Sequence, residues 1–379
     1  MFKFFLKNFY LFYVFITIII FFLFFDYVLS KNTNLFQIRK NCFEYFKIVS
    51  KNKDYYSYDL AENCFAFEKK STTPSYTVQT NEDRIRIGLK KKETPTEKII
   101  FLGDSFTYGF GVDYENSIPG YISKKVENQY DVINLGVTGY SPTQNLFRLN
   151  RFLKKNNTLK IKKLFYILDI TDVHDEANRW IKIDGIDRPV LVDDNAEDEI
   201  KKTFEDSKFR TSKFVAYSIN RYLRNLKKKI KDYFQKDLRS KQGTYWGKYM
   251  YTPQENLLKD AKYQSLWPIK KEIGFKKINK NIKLISNLSK NKNAEFYIVI
   301  HPWMEILDYG QKEFNWEKYA EKLCHEADCK KLISFFDDAR SVKKNFKDWK
   351  TLLYFRSDQH HTGYANKLYS DRIFKEAFN

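Results

Sequence analysis

The sequence predicts an α/β fold built on a mostly parallel sheet, and three observations carry that expectation. Ile99–Leu102 is a continuous apolar run, and comparable runs recur at Tyr130–Leu135, Lys163–Ile170 and Glu295–Ile300. Runs without polar alternation suit strands buried on both faces. Each run ends on a turn signal, namely Gly103-Asp104, Gly136, Thr171-Asp172 and His301-Pro302. Stretches read as helices lie between successive runs and after the last, with the 178–275 insertion preceding the one after the third run, the alternation expected of a parallel sheet.

At 379 residues the chain can bury a large core, as one big domain or two. Its formal net charge is +20, from 67 Lys+Arg against 47 Asp+Glu. Such a balance can mark nucleic acid, anionic lipid or acidic glycan as a partner. Here Lys, Asn, Ile and Phe are abundant along the whole chain, which explains the charge by composition. No zinc-finger, RRM or homeodomain pattern is present, so no nucleic-acid partner is expected.

Residues 1–30 are uncharged from Phe9 to Phe25, a run about long enough to span a bilayer. Lys3 and Lys7 precede it, which places the amino end in the cytoplasm and the rest of the chain outside. A cleaved signal peptide is the rival, with Val28 and Ser30 at the cleavage site. The run is long and aromatic for that role, so the expectation is a retained single-pass anchor in the inner membrane with a periplasmic domain. Either way the chain is exported.

Residues 31–95 read as a juxtamembrane arm and linker. Helical signals are modest over Phe36–Ser50, SYTVQTNEDRIRIG looks extended, and LKKKETPTEK looks like a linker. The four cysteines are Cys42, Cys64, Cys324 and Cys329. In an oxidising compartment they are expected to pair, Cys324 with Cys329 if the intervening helix end unwinds and Cys42 with Cys64. The nearby imidazole, His325, lacks a CxxC partner set, so no metal site is expected.

The main domain is assigned to 96–379. Ser105 lies just past the first buried strand, where open α/β sheets keep their ligands, and a hydroxyl there becomes a nucleophile if a base reaches it. Helices are expected over Ser117–Asn128 and over Ser141–Lys154, the latter with Leu146, Leu149 and Phe152 on one face. His174, after the third strand, is either a pocket residue or a structural one. Residues 178–275 are an insertion. It holds RYLRNLKKKIKDYF, which has a helical pattern, and the aromatics Tyr245, Trp246, Tyr249, Tyr251, Tyr263 and Trp267, which suit either a glycan-facing lid or plain packing. A helix over Phe275–Asn291, the strand Glu295–Ile300 and the loop Pro302-Trp303 follow. Next come a helix over Trp316–Ala327, a strand over Leu332–Phe336 and a helix over Ser341–Trp349. Asp358, His360 and His361 then precede a final helix over Thr362–Ala377.

Three of these pieces stand in a known order. GDSFTYGFGV resembles the first block of the SGNH (GDSL-like) hydrolases, NLGVTGYSPTQ their second, and SDQHHTGYANKL their last. The resemblance covers roughly 96–170 and 294–379, and extends to Thr80, Asn81 and Arg86, which match a segment some members carry before the first block. DITDVHDEA is similar to a string in one membrane-anchored bacterial branch. The resemblance implies a three-layer, flavodoxin-like domain with Ser105 as nucleophile and the Gly136 N–H as an oxyanion donor. Thr171 stands where the family usually has an oxyanion Asn, with Asp172 beside it. That departure matters, because one lost donor typically costs ~3 kcal/mol in the barrier. An Asp and a His complete the triad. Many members space them so as to select His361, whereas the branch pattern Asp-x-His selects His360, makes Thr362 the N-cap of the last helix, and leaves His361 at the pocket rim. Asp358 would orient His360.

The implied activity is that of a membrane-anchored serine esterase without cofactor. It would remove O-acyl groups, O-acetyl foremost, from a cell-surface polysaccharide or a small ester. A glycan O-acetyltransferase would use the same residues. A catalytically weak glycan-binding protein is the reading from another class, motivated by Thr171.

Overall fold

The structure is a computed structural model. It describes residues 12–22, 24, 41–49, 54–69, 73–88, 95–191, 267–311, 314–356 and 358–378. The chain divides into two compact units, residues 1–38 with 197–243, and residues 39–196 with 244–379. In the first, 12–22 is helical and its large apolar side chains are exposed, Phe12, Phe15, Ile20 and Phe21 among them. Among the described residues, no helix is long and apolar enough to cross a membrane. The expected helix in RYLRNLKKKIKDYF and the insertion's aromatic side chains lie outside the described residues. Everything below concerns the second unit.

Its strands in chain order are β1 (Phe43–Ile48), β2 (Tyr55–Leu60), β3 (Phe65–Glu68), β4 (Tyr76–Thr80), β5 (Arg86–Ile87), β6 (Glu97–Leu102), β7 (Asp131–Asn134), β8 (Lys160–Leu168), β9 (Trp180–Ile181), β10 (Val190–Leu191), β11 (Glu295–Ile300) and β12 (Lys331–Ser334). The helices are α1 (Ser105–Tyr108), α2 (Ile118–Val126), α3 (Pro142–Lys155), α4 (Trp267–Asn291), α5 (Met304–Tyr309), α6 (Trp316–Glu326), α7 (Phe336–Asn345), α8 (Trp349–Leu353) and α9 (Gly363–Phe378).

Five strands run parallel in the order β12-β11-β8-β6-β7. Counted from β6, that is the 2-1-3-4-5 order of a flavodoxin-like sheet, whose ligands bind at the switch point between the first and third strands. Alternate residues feed two cores. Ile100, Leu102, Leu164 and Ile298 join Leu149, Ile278, Ile282 and Leu323 from α3, α4 and α6. Ile99, Phe101, Phe165 and Val299 join Ile118, Ile122, Val342, Tyr369 and Ile373 from α2, α7 and α9. Helices thus cover both faces of the sheet, which is why its strands read as unbroken apolar runs.

The N-terminal stretch corrects the expectation of a helix within Phe36–Ser50, while SYTVQTNEDRIRIG is extended as expected over β4 and β5. Residues 43–48 are a strand: the aromatic-rich FEYFKI pairs antiparallel with YYSYDL in a four-stranded sheet ordered β1-β2-β10-β9, and aromatics fit such a pleated, half-buried surface. β3, β4 and β5 extend the parallel sheet antiparallel from the β7 edge. The boundary drawn between 31–95 and 96–379 therefore cuts a hydrogen-bonded sheet. The insertion is also narrower than read, because β9 and β10 lie within it and α4 begins at Trp267. The helix expected over Ser341–Trp349 is two, since Phe346 is extended (φ −128°, ψ 128°) and caps α7. Both disulfides form, Cys42–Cys64 and Cys324–Cys329.

Candidate active site

Ser105 opens α1 at the end of β6. Gly103 makes this turn possible, because its φ of +151° is rare for other residues and a Cβ there would lie 2.1 Å from Thr107 Oγ1. Asp104 caps α1, accepting the Phe106 N–H at 2.9 Å, and Gly109 closes it in the left-handed conformation. The result is a single buried helical turn that presents Ser105 at the switch-point edge.

The imidazole of His360 reaches this serine, with its Nε2 2.8 Å from Ser105 Oγ. Its Nδ1 lies 2.5 Å from Asp358 Oδ1, and the same oxygen accepts the His360 backbone N–H at 3.0 Å. One carboxylate oxygen thus fixes both the ring tautomer and the loop that carries it. The loop is closed by Phe355 N–H to His360 C=O and Asp358 N–H to Phe355 C=O, each at 3.0 Å. Thr362 accepts the Ala365 N–H at 3.2 Å and so caps α9. The rings of Phe106 and Phe110 flank His360, with centroids at 5.0 and 4.3 Å. A hydroxyl, a base and an orienting carboxylate in this chain can carry out nucleophilic acyl transfer.

His361 is not at a pocket rim, as expected of it, but in the core. It is 2 % exposed and packs on Phe106, His301 and Tyr369. Burial, with His301 and His360 nearby, holds it neutral, well below its usual pKa. His174 faces Asp175, with its Nδ1 3.3 Å from Oδ1.

The expected oxyanion donors are committed elsewhere. The Gly136 N–H donates to Asn134 Oδ1 at 2.9 Å. The missing side chain at Gly136 admits the nucleophile turn rather than substrate, since a Cβ would lie 2.5 Å from the Tyr108 nitrogen. The Thr171 hydroxyl donates its one proton to Asp169 Oδ2. Asp172 is buried, and its Oδ2 accepts the Asp169 N–H at 3.3 Å instead of facing Ser105. Burial and the neighbouring Asp104 push its carboxyl up. The Ser105 N–H, one of the first-turn amides that a helix leaves without an internal acceptor, has no protein acceptor among the described residues.

Several neighbours have no role assigned by the sequence, although Arg86 matches a segment that some family members carry. Asp169, at the end of β8, is 1 % exposed and accepts the Trp303 Nε1–H at 2.6 Å, so Trp303 is a buried strut. Burial pushes Asp169 up to about 6 against the pull of its Thr171 and Trp303 bonds. His301, fully buried between Phe106 and His361, is pushed down to about 3 by burial. Arg86 is also fully buried, donating to the carbonyls of Tyr108, Gly109, Val112 and Thr77 at 2.6–3.0 Å. Among the described residues, no group of three or more His, Cys, Asp and Glu is arranged to hold a metal ion.

No family model and no curated protein matches the chain. Similar solved structures include TesA, at 10 % identity and TM-score 0.39, covering 73 % of this chain and 96 % of that one. A member of the lipolytic G-D-S-L family from Veillonella parvula is 12 % identical, with TM-score 0.36 and coverage of 74 % and 98 %. The acetylxylan esterase Axe2 from Geobacillus stearothermophilus is 10 % identical, with TM-score 0.41 and coverage of 76 % and 98 %. Likeness at this level identifies neither reaction nor substrate, and the reaction class rests on the geometry of the site.

Proposed function

We propose that the chain is a serine ester hydrolase of SGNH type, tethered to the inner membrane and acting outside the cytoplasm on O-acyl groups, O-acetyl foremost, of a cell-surface polysaccharide. The observation that carries the reaction class is the unbroken Ser105–His360–Asp358 chain of hydrogen bonds at the switch-point edge. In the first half-reaction Ser105 Oγ attacks the ester carbonyl while His360 Nε2 takes its proton. Asp358 holds the imidazolium, and the Ser105 N–H faces the developing oxyanion. His360 then protonates the departing sugar oxygen, leaving an acyl-serine. Water, deprotonated by the same imidazole, releases the carboxylic acid and restores the serine.

The tether rests on the uncharged Phe9–Phe25 run and on the exposed apolar side chains along 12–22, a surface that calls for lipid or a partner. The polysaccharide is inferred from that location and from the family resemblance. A fluorophosphonate should label the wild-type chain and leave Ser105→Ala unlabelled at an unchanged thermal midpoint; equal labelling of the two sinks the assignment. Aryl acetate turnover with and without an acceptor sugar separates the outcomes. Product that appears only with the sugar makes the chain an O-acetyltransferase, and no turnover in either arm makes it a glycan-binding protein.

A further inference from the structure

We infer that Gln359, between the two triad members on the Asp358–His360 loop, is a positioning residue that fixes the general base by tying that loop to α5. This rests on the serine hydrolase reading above. The Gln359 side-chain amide donates to Glu305 Oε1 at 2.8 Å, and its carbonyl oxygen accepts the Met304 N–H at 3.4 Å. Both partners belong to the first turn of α5, more than fifty residues earlier in the chain. That turn follows Trp303, whose indole holds Asp169 at the end of β8. One side chain thus joins the loop carrying His360 to the edge formed by β8 and β11.

The need for this tie follows from how the loop is otherwise held. Its backbone bonds link Phe355 to His360, Asp358 to Phe355, and Thr362 to Leu353. All of these lie within residues 353–362; to the chain beyond that range the segment is held by Tyr354, whose hydroxyl donates to the Pro302 carbonyl at 2.7 Å, and by the buried His361, on either side of Asp358–His360. Gln359 adds a direct bond from the Asp358–His360 stretch to α5, and a displacement of about 1 Å at a catalytic group costs on the order of 100-fold in rate. The two rungs also have a polarity. An amide matches one N–H donor and one carboxylate acceptor together, whereas a carboxylate at 359 would face the carboxylate of Glu305.

That polarity supplies the test, made on the full-length chain in detergent. Gln359→Ala should lower kcat for an aryl acetate and the fluorophosphonate labelling rate by about 10- to 100-fold with KM within about twofold. Gln359→Glu should be at least as slow. Adding Glu305→Gln to it restores a donor and acceptor in swapped places, and should bring the rate back to within about threefold of wild type. The ring nitrogen NMR shifts of labelled His360 should follow the same order, displaced in the two single variants and restored in the double one; this readout needs no ester chemistry. Wild-type labelling rates in Gln359→Ala, or a double variant no faster than Gln359→Glu, overturns the inference. A wild-type chain that labels with nothing, while its His360 ring shifts still respond to these substitutions, overturns the hydrolase reading and leaves the positioning role standing.

Discussion

Beneath Ser105 and His360 the chain stacks two further imidazoles on one phenyl ring, with centroids of Phe106 at 4.0 Å from His301 and 4.6 Å from His361. Buried and neutral, both histidines act as flat packing groups. Neutrality has a price at low pH. His301 binds its proton at about 3 in the folded chain, against about 6.5 when unfolded. The unfolded state therefore takes up a proton first as pH falls below about 6.5, and folding stability drains away at up to ~1.4 kcal/mol per pH unit until the folded pKa is reached. His301→Phe keeps a ring against Phe106 and removes that proton. It should leave stability near pH 7.5 within about 1 kcal/mol of wild type and lessen the loss between pH 6 and 4, read from urea midpoints at each pH. Parallel pH dependence in the two proteins would show that His301 does not titrate in this way. At this scale the place of Ser105 was legible, because a strand end and a glycine are local signals, whereas His360 was singled out from His361 by the family-branch pattern and the Thr362 cap. The fates of Gly136 and Thr171 were not legible. Their donors are claimed by Asn134 and Asp169, and Asp169 is in turn held by Trp303, far along the chain.

At the scale of elements, a helix of one turn cannot hold its own shape, and the sheet edge holds it. Arg86 on β5 and Asn134 on β7 are register partners in the antiparallel pair. Arg86 takes the Tyr108 and Gly109 carbonyls at the end of α1, while Asn134 Nδ2 takes the Thr107 carbonyl at 3.0 Å. The guanidinium also lies over the Tyr108 ring, 4.6 Å from its centroid. Its two terminal nitrogens serve carbonyls on opposite sides, since NH2 reaches Thr77 and Val112. A lysine ammonium is a compact charge without that fork. Arg86→Lys should therefore leave buried carbonyls unpaired and cost about 2 kcal/mol or more in denaturant unfolding. A loss under about 0.5 kcal/mol would mean that the fork is dispensable. The strand bearing Arg86 was hard to read because it is two residues long and gains its identity from pairing with β7. By contrast β6, β8 and β11 announce themselves, being apolar on both faces.

At the scale of the whole molecule, the N-terminal strands serve two sheets. β1 and β2 join β9 and β10, while β3 to β5 lengthen the sheet that carries Ser105. Neither role shows in the local sequence, because the partners lie far along the chain and the aromatics of 43–68 alternate irregularly. The Cys42–Cys64 disulfide spans this junction, linking the residue before β1 to the residue before β3. Both cysteines are buried, at 0 and 3 % exposure. It closes a loop of 22 residues, for which the chain-entropy model gives roughly 3 kcal/mol.

That crosslink joins the fold to the proposed topology, because such a bond persists outside the cytoplasm and not within it. With Lys3 and Lys7 on the inner side, the domain from residue 39 onward should face the periplasm. Mass spectrometry of membranes prepared with thiols blocked at lysis should find the peptides of Cys42 and Cys64 crosslinked, and protease added to intact spheroplasts should digest the domain. The same chain expressed without residues 1–30 stays in the cytoplasm with both thiols reduced. Its thermal midpoint should then fall by several degrees, by about as much as in the Cys42→Ala/Cys64→Ala double variant of the exported chain. Free thiols in the full-length protein together with protection from protease would place the domain on the cytoplasmic side, and an extracytoplasmic polysaccharide could no longer be its substrate.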